Sequence, residues 1–287
     1  MKTLFRRILG ASILLAVLVY GGAIAWMKWH EKDLVFANAI SRHRADGAIP
    51  AGGELLSIPT ADGLVLAAVR FKADSAGDDG YWILHLHGNS DSAFSPMQLA
   101  HCQRLTQLRV SALCFDYRGF GRSPGEVSER GMLEDAEAAY QSLRAQGVPD
   151  DHILLWGHSL GSGPAVHLAA RHPAAALVLF GAFTSIPDAA ADRYPWLPVR
   201  WLASVRFDSL SQLPAVRMPV VLVHTETDRV IAFHHAKDLF AAAREPKRLL
   251  VLADRTVDGY GGHVNALYEQ LDLLQSVLRP LLGASSR

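Results

Sequence analysis

Short apolar runs rich in β-forming residues alternate with longer amphipathic stretches from about Glu54 onward. Apolar runs of four to eight residues indicate strands, and apolar residues recurring every three or four positions indicate helices. The predicted strands are Glu54–Ile58, Leu64–Phe71, Trp82–Leu86, Ser111–Phe115, Ile153–Trp156, Ala176–Phe180, Val220–Val223 and Arg248–Leu252. The predicted helices are Ser95–Leu108, Met132–Gln146, Leu160–Arg171, His235–Ala243 and Val264–Leu282. This alternation predicts an α/β domain built on a mostly parallel eight-stranded sheet with helices on both faces.

Two connections stand apart from this alternation. Only Ala61-Asp62-Gly63 separates the first two predicted strands, which predicts an antiparallel hairpin at one edge of the sheet. Residues 182–218, called the lid segment below, contain Trp196 and Trp201 among several prolines. A connection of that length inside a compact domain is usually functional, so we interpret it as a short lid over a site. Plain packing over the sheet would explain the same apolar residues.

The N-terminal segment has a different pattern. Residues Ile8–Met27 are 20 consecutive positions without a charged side chain, and three basic residues precede them. A helix of that length crosses about 30 Å of hydrocarbon, and Trp26 and Trp29 are of the type that lies at membrane interfaces. The sequence therefore predicts a membrane anchor over residues 1–29 and the α/β domain over residues 30–287.

A cleaved signal peptide is the alternative interpretation of this segment. Ala23-Ile24-Ala25 has the form of a cleavage site behind a basic start and an apolar stretch. Both interpretations place the following domain outside the cytoplasm, in a bacterial periplasm or an organelle lumen. The domain would be secreted if residues 1–25 are removed.

Composition narrows the function classes. Half of the residues are apolar and a fifth are charged, which excludes a disordered chain. The formal net charge is zero, and the sequence has no concentrated basic patch, so we expect no nucleic-acid partner. Cys102 and Cys114 cannot form a disulfide framework and lack the spacing of a structural zinc site.

The first candidate for chemistry is a serine after the fifth predicted strand. Gly157-His158-Ser159-Leu160-Gly161 has the G-x-S-x-G form, with a strand before it and a helix after it. Such a tight turn lifts a serine hydroxyl above the sheet and directs the next backbone N–H toward a developing oxyanion. We predict Ser159 as the nucleophile and the Leu160 N–H as one oxyanion donor. The alternative is an ordinary helix-cap serine.

A serine nucleophile needs a histidine base oriented by a carboxylate. Asp228 follows the seventh predicted strand, and His263 follows the eighth. The carboxyl ends of parallel strands share one edge of a sheet, so we expect Ser159, Asp228 and His263 to meet there. A cap carboxylate and a surface histidine are the alternatives for the last two. Asn89 follows the third predicted strand, and we assign its N–H as the second oxyanion donor.

Taken together, these segments resemble the α/β-hydrolase superfamily, in the branch of membrane-anchored serine hydrolases with a short lid. The resemblance spans about residues 50–283. It rests on His87-Gly88-Asn89, the Asp116–Ser123 segment, Gly157-His158-Ser159-Leu160-Gly161, Asp228 and His263. It implies hydrolysis of acyl esters or thioesters, lipid esters included, without a metal or cofactor. Relatives usually have Gly and Pro where this chain has Thr225 and Ala232. Both positions flank Asp228, so the alternative acid of the triad is the neighbouring Glu226.

The sequence thus predicts a serine hydrolase of carboxylic esters or thioesters that acts through an acyl-enzyme, on a small-molecule or lipid acyl substrate. A peptidase or amidase of the same fold and a catalytically silent binding protein are the alternatives. We interpret His87 and His158 as residues that orient loops. Adjacent residues point differently along a helix, so we interpret His234 and His235 as part of a solvated face rather than a metal site.

Overall fold

A computed structural model describes residues 2–37, 47–73, 80–89, 92–252, 262–263 and 280. Its strands form one eight-stranded sheet in the order β1-β2-β4-β3-β5-β6-β7-β8. Their bounds are β1 Gly53–Pro59, β2 Val65–Phe71, β3 Trp82–Leu86, β4 Ser111–Phe115, β5 Ile153–His158, β6 Ala176–Phe180, β7 Val220–Thr225 and β8 Lys247–Leu252. Strands β1 and β2 form the predicted antiparallel edge hairpin, β2 pairs antiparallel with β4, and the remaining pairs are parallel. The predicted fold class is confirmed.

Nine α-helices lie within the described residues. They are α1 Lys2–Trp29, α2 Glu31–Val35, α3 Pro96–Leu105, α4 Glu129–Ala145, α5 Ser162–Ala169, α6 Ile186–Arg193, α7 Val199–Leu202, α8 Ser209–Gln212 and α9 Phe233–Ala242. Four of the five predicted helices correspond to α3, α4, α5 and α9, with bounds that differ by a few residues. The predicted helix Val264–Leu282 lies outside the described residues, apart from Pro280.

Capping explains where the helix starts differ from the prediction. Helix α4 begins three residues early because Ser128 is its N-cap and accepts a hydrogen bond from the Gly131 N–H at 3.0 Å. Helix α5 begins two residues late because a single 3₁₀ turn, Ser159–Gly161, precedes it. The late start leaves the serine on a turn between strand and helix.

The core lies around the middle of the sheet. Every residue of β4, β5, β6 and β7 is buried. Strands that are buried on both faces are typical of a parallel sheet covered by helices on each side. The sheet is therefore a rigid platform, and the loops at the carboxyl ends of its strands are held at fixed positions.

Helix α1 is exposed along its length, in contrast to the core. It is long and apolar enough to cross a membrane, and a signal sequence would pass the same test. Its end meets the domain through α2, and Phe36, which follows α2, is fully buried in the core. The N-terminal segment is thus joined directly to the packed part of the domain.

The two cysteines form one disulfide, Cys102–Cys114, between α3 and β4. Two cysteines are too few for a disulfide framework, and the sequence does not show whether they pair with each other. Their pairing depends on the parallel arrangement of β3 and β4, which places the connecting helix α3 against β4.

Candidate active site

Ser159 lies on a sharp turn between β5 and α5. Its φ is +48°, in the left-handed region that side chains other than glycine rarely adopt. The flanking glycines are needed because a Cβ on Gly157 would lie 2.7 Å from the Cβ of Ala165, and a Cβ on Gly161 would lie closer still to the carbonyl oxygen of Leu86. The turn therefore has the strained, tightly packed geometry of a nucleophile elbow.

The structure brings together the three side chains predicted as a triad. The Nε2 atom of His263 lies 2.9 Å from the Oγ atom of Ser159. The Nδ1 atom of the same ring lies 2.6 Å from the Oδ2 atom of Asp228. Because a carboxylate can only accept, Nδ1 carries the proton, and Nε2 is left free to accept the serine proton.

The Asp228 carboxylate is held by several donors. Its Oδ1 atom accepts hydrogen bonds from the N–H groups of Val230 at 2.8 Å and Ile231 at 2.9 Å. The Nε2 atom of His224 lies 3.2 Å from Oδ2. Burial raises the pKa of Asp228, but the contacts with His224 and His263 outweigh it and hold that pKa below its usual range. The carboxylate is ionised at neutral pH.

Thr225, where relatives usually have glycine, does not displace this loop. Strand β7 continues through Thr225, which pairs in parallel register with Leu252 of β8. The Asp228 N–H then bonds to the Thr225 carbonyl oxygen at 3.3 Å, which closes a turn. Glu226, the substitute acid, is exposed to solvent. The geometry thus favours Asp228 over Glu226 as the partner of His263.

Two residues beside the triad were missed in the sequence analysis. His224 was not singled out, and it forms the fourth contact to the Asp228 carboxylate, beside His263 and the N–H groups of Val230 and Ile231. Gly181 follows β6 with φ +52°, and a Cβ there would lie 2.8 Å from Cε1 and 2.9 Å from Nδ1 of His263. A single glycine at a strand end is the only sequence signal for Gly181, and it is too common to be diagnostic.

His158 supports the position of His263. Its Nε2 atom lies 3.2 Å from the His263 carbonyl oxygen. Burial, with the neighbouring His263 ring, lowers the pKa of His158 to about 3, so its ring is neutral and donates from Nε2. His87 bonds through Nδ1 to the Gly88 carbonyl oxygen at 2.8 Å. Both contacts agree with the predicted loop-orienting roles.

The Asp116–Ser123 segment forms a buried turn beneath the site. The Asp116 carboxylate accepts from the N–H groups of Ala93 at 2.7 Å and Arg122 at 2.8 Å. The guanidinium of Arg118 donates to Asp135 at 2.7 Å and to Asp62 at 2.8 Å. These contacts join the loops after β1, β3 and β4 to α4, so this segment has a structural role.

The predicted oxyanion residues lie beside the serine. Asn89 and Leu160 both line the cavity that Ser159 faces. A Cβ on Gly88 would lie 3.2 Å from the Ser159 Cβ, so the loop after β3 packs tightly against the elbow. The Asn89 side-chain Nδ2 donates to the Val35 carbonyl oxygen at 2.9 Å, which ties this loop to the end of α2.

A cavity of about 470 Å³ extends from Ser159 beneath the lid segment. This volume lies within the usual range for small-molecule sites. Its walls come from the ends of α1 and α2, from the loops that carry Asn89, Ser159 and His263, and from α6 and α7. The lining is mainly apolar and includes Met27, Leu34, Val35, Phe183, Ile186, Ala189, Ala190, Val199, Leu202, Ala203, Val230 and Ile231. Such a site suits an apolar chain attached to a reactive carbonyl.

Comparison with known proteins agrees with the fold. A family profile, Hydrolase_4, described as serine aminopeptidase S33, matches residues 81–210. The chain is 34% identical over 269 residues to an uncharacterized protein of Mycobacterium tuberculosis, Rv2307c, covering 93% of this chain and 92% of that one. The chain belongs to the α/β-hydrolase superfamily.

This α/β hydrolase also resembles a lipase and several esterases. It is 34% identical over 185 residues to lysophosphatidylserine lipase ABHD12 of Danio rerio, a match that covers 58% of this chain and 48% of the lipase. The Pyrococcus furiosus esterase Pf2001 superposes with a TM-score of 0.66 at 17% identity, over 84% of this chain and 97% of that one. At that identity the esterase shows the fold alone.

One sequence interpretation about the hydrolase is wrong. The solvated-face interpretation fails for His235, which is fully buried, whereas His234 is exposed; the two rings stack with centroids 4.3 Å apart. The Nε2 atoms lie 3.3 Å and 3.1 Å from the Oδ2 atom of Asp192 in the lid segment. Both side chains turn toward the same carboxylate at the start of α9. The pair joins α9 to α6 of the lid segment.

Proposed function

We propose that this α/β hydrolase is a serine hydrolase that cleaves carboxylic esters or thioesters of acyl chains. The observation that carries the proposal is the continuous hydrogen-bonded path from Ser159 through His263 to Asp228 at the wall of an apolar cavity. The similarity to lysophosphatidylserine lipase ABHD12 supports the same class of reaction.

The reaction follows from these contacts. The Ser159 oxygen attacks the carbonyl carbon of the ester while its proton passes to Nε2 of His263. The negative charge that develops on the carbonyl oxygen is stabilised by the N–H groups of Asn89 and Leu160. The bond to the leaving alkoxide or thiolate breaks, and the imidazolium returns the proton to it. Asp228 holds the ring orientation and stabilises the imidazolium throughout.

Water completes the cycle. It attacks the carbonyl carbon of the acyl-enzyme while Nε2 of His263 takes one of its protons. The bond between that carbon and the Ser159 oxygen breaks, and the imidazolium returns the proton to the serine. The products are a carboxylic acid and an alcohol or thiol, and no oxidant, metal or cofactor enters the balance.

The description of the matched family favours amide hydrolysis as a second candidate. An aminopeptidase has to bind the free ammonium of its substrate, for which a carboxylate is the complementary group. Glu31 is the acidic residue among the described cavity-lining residues. Its carboxylate already accepts from Lys28 at 2.8 Å and from the Val205 N–H at 3.0 Å. This engagement favours esters over aminoacyl peptides.

We also propose that α1 anchors the protein in a membrane, with the catalytic domain outside the cytoplasm. The length and composition of α1 support the anchor. The Cys102–Cys114 disulfide supports the compartment, because disulfides persist mainly in oxidising compartments and are rare in the cytosol.

A fluorophosphonate probe tests the nucleophile. The full-length protein in detergent is expected to be labelled, and Ser159→Ala is expected to abolish both labelling and hydrolysis of p-nitrophenyl butyrate. Ser57→Ala, on the exposed face of β1, is the matched control and should retain both. A folded wild-type protein that is not labelled would contradict the proposal and favour a binding protein. Faster turnover of an aminoacyl p-nitroanilide than of the ester would favour the peptidase.

A further inference from the structure

The last turns of α1 pack directly against the lid segment. The Tyr20 hydroxyl donates to the Trp196 carbonyl oxygen at 2.9 Å. Two turns later, Nζ of Lys28 donates to the Leu202 carbonyl oxygen at 2.7 Å. The lid segment is therefore held alongside the helix that we propose as the membrane anchor, and not away from it.

These contacts set the depth of the lid segment relative to the anchor. The uncharged run of α1 ends at Met27, and Tyr20 lies seven residues before it. At 1.5 Å per residue, Tyr20 is about 10 Å inside that end of the run. Helical side chains lean toward the helix N-terminus, so the hydroxyl lies at this depth or deeper. The Trp196 backbone, which accepts its proton, lies at the same level.

The outer surface of the lid segment has the chemistry of a membrane-facing surface. Trp196 is 59% exposed and Trp201 is 91% exposed, each far more than a soluble domain usually exposes so large a ring. Trp26 and Trp29 of α1 are exposed as well. Tryptophan is enriched where protein crosses the interface between hydrocarbon and water.

The same part of the molecule borders the catalytic cavity. Met27 of α1 and Leu202 of the lid segment line the same cavity as Ser159. Lys28 and Glu31 lie on the same wall and are ion-paired at 2.8 Å. An apolar path therefore runs from the reactive serine to the end of the anchor, with charged groups where lipid headgroups would lie.

We propose that the lid segment is immersed in the outer part of the bilayer, and that the cavity takes its substrate, a long-chain acyl ester resident in that bilayer, directly from the lipid phase. The inference rests on the proposed serine hydrolase function for its substrate class. The immersion itself rests on the proposed membrane anchor and on the contacts between α1 and the lid segment. A chain that enters beside Met27 would reach Ser159 without passing through water.

Depth is measured first, without any use of activity. The full-length protein is reconstituted in phosphatidylcholine vesicles whose acyl chains carry bromine, which quenches tryptophan fluorescence on contact. Trp196→Phe and Trp201→Phe are each expected to remove a quenched component of the emission. Trp82→Phe, at the start of β3 within the domain, is the matched control and should leave the quenched component unchanged.

Substrate delivery is measured second. The rate on monooleoylglycerol in dioleoylphosphatidylcholine vesicles is divided by the rate on soluble p-nitrophenyl acetate. The double variant Trp196→Ser with Trp201→Ser is expected to lower this ratio about tenfold, the order expected when large apolar side chains lose their burial. Leu55→Ser is the control and should keep the ratio. Leu55 is 59% exposed, as is Trp196, but it lies on the edge strand β1.

The outcomes separate the two proposals. Absence of a quenched component at Trp196 and Trp201, or an unchanged ratio in the double variant, would overturn the bilayer entry even in an active esterase. If the wild-type protein hydrolyses neither monooleoylglycerol nor p-nitrophenyl acetate but its tryptophans are still quenched, the serine hydrolase function is overturned and the immersion of the lid segment is retained. Quenching together with the lowered ratio supports bilayer entry.

Discussion

The substitution Gly181→Ala is predicted to disable the hydrolase although it leaves Ser159, Asp228 and His263 themselves unchanged. Gly181 follows β6 and faces the edge of the His263 ring. A Cβ built on Gly181 would lie 2.8 Å from Cε1 and 2.9 Å from Nδ1 of that ring. The imidazole cannot stay where it is in Gly181→Ala.

The size of the effect follows from these distances. Carbon atoms in contact prefer a separation of about 3.5–4.0 Å, so the ring must retreat by roughly 0.7 Å or more. Its Nε2 atom is 2.9 Å from the Ser159 oxygen, and misplacing a catalytic group by about 1 Å can cost roughly 100-fold in rate. We expect kcat/KM to fall roughly 30- to 100-fold, about 2–3 kcal/mol of transition-state stabilisation.

The backbone of Gly181 adds a separate cost. Its φ is +52°, and alanine in the left-handed region costs roughly 1–2 kcal/mol. Gly147→Ala is the matched control for this term. Gly147 has φ +86° at the end of α4, and a Cβ there would meet no heavy atom within 4 Å. Both variants should lose stability by a similar amount, and only Gly181→Ala should lose activity.

The assay combines thermal unfolding with steady-state hydrolysis of p-nitrophenyl butyrate and the rate of fluorophosphonate labelling. Labelling should slow in proportion to kcat/KM, since both need the serine proton to be accepted by His263. Wild-type kcat/KM in a folded Gly181→Ala protein would refute the reasoning. An equal loss of activity in Gly147→Ala would also refute it, because the effect would then come from the backbone and not from the contact with His263.

Three further predictions concern the acid, a buried ion pair and the disulfide. Asp228→Asn should lower kcat by roughly 10⁴-fold in single-turnover assays, because the amide no longer selects the Nδ1–H tautomer. The folded-state pKa of Asp228 is depressed, so the ionised carboxylate stabilises the fold fully above the unfolded pKa of about 3.9, and this stabilisation is lost as pH falls through the folded pKa. The Tm difference between wild type and Asp228→Asn should therefore narrow below about pH 4. A Tm difference that widens there would contradict this sign. Arg118→Ala leaves the fully buried Asp135 without its cation and should cost about 3–5 kcal/mol in urea unfolding, whereas a loss below about 1 kcal/mol would show that the pair is solvated. Replacing Cys102 and Cys114 together by serine should cost about 3 kcal/mol, and thiol titration of the native, unreduced protein should find no free thiol.

Much of the architecture was predictable from local patterns. The apolar runs match the eight strands closely because buried parallel strands must be apolar on both faces. The elbow was predictable for a similar reason. Only glycine fits at Gly157 and Gly161, so the need for space around Ser159 can be recognised as a short sequence motif. Asp228 and His263 were predicted as site residues because parallel strands deliver their following loops to one edge.

The sequence by itself determined which residue types are present, how they repeat and in what order they follow the strands, since these depend on neighbours along the chain. Tertiary structure alone decided the contact of Gly181 with His263, the contact of Asp228 with His224, the meeting of His234 and His235 at Asp192, and the packing of α1 against the lid segment. Each of these joins side chains that are distant in sequence or oriented by packing. Their positions depend on the twist of the sheet and the angle of each helix, and no short-range pattern encodes either.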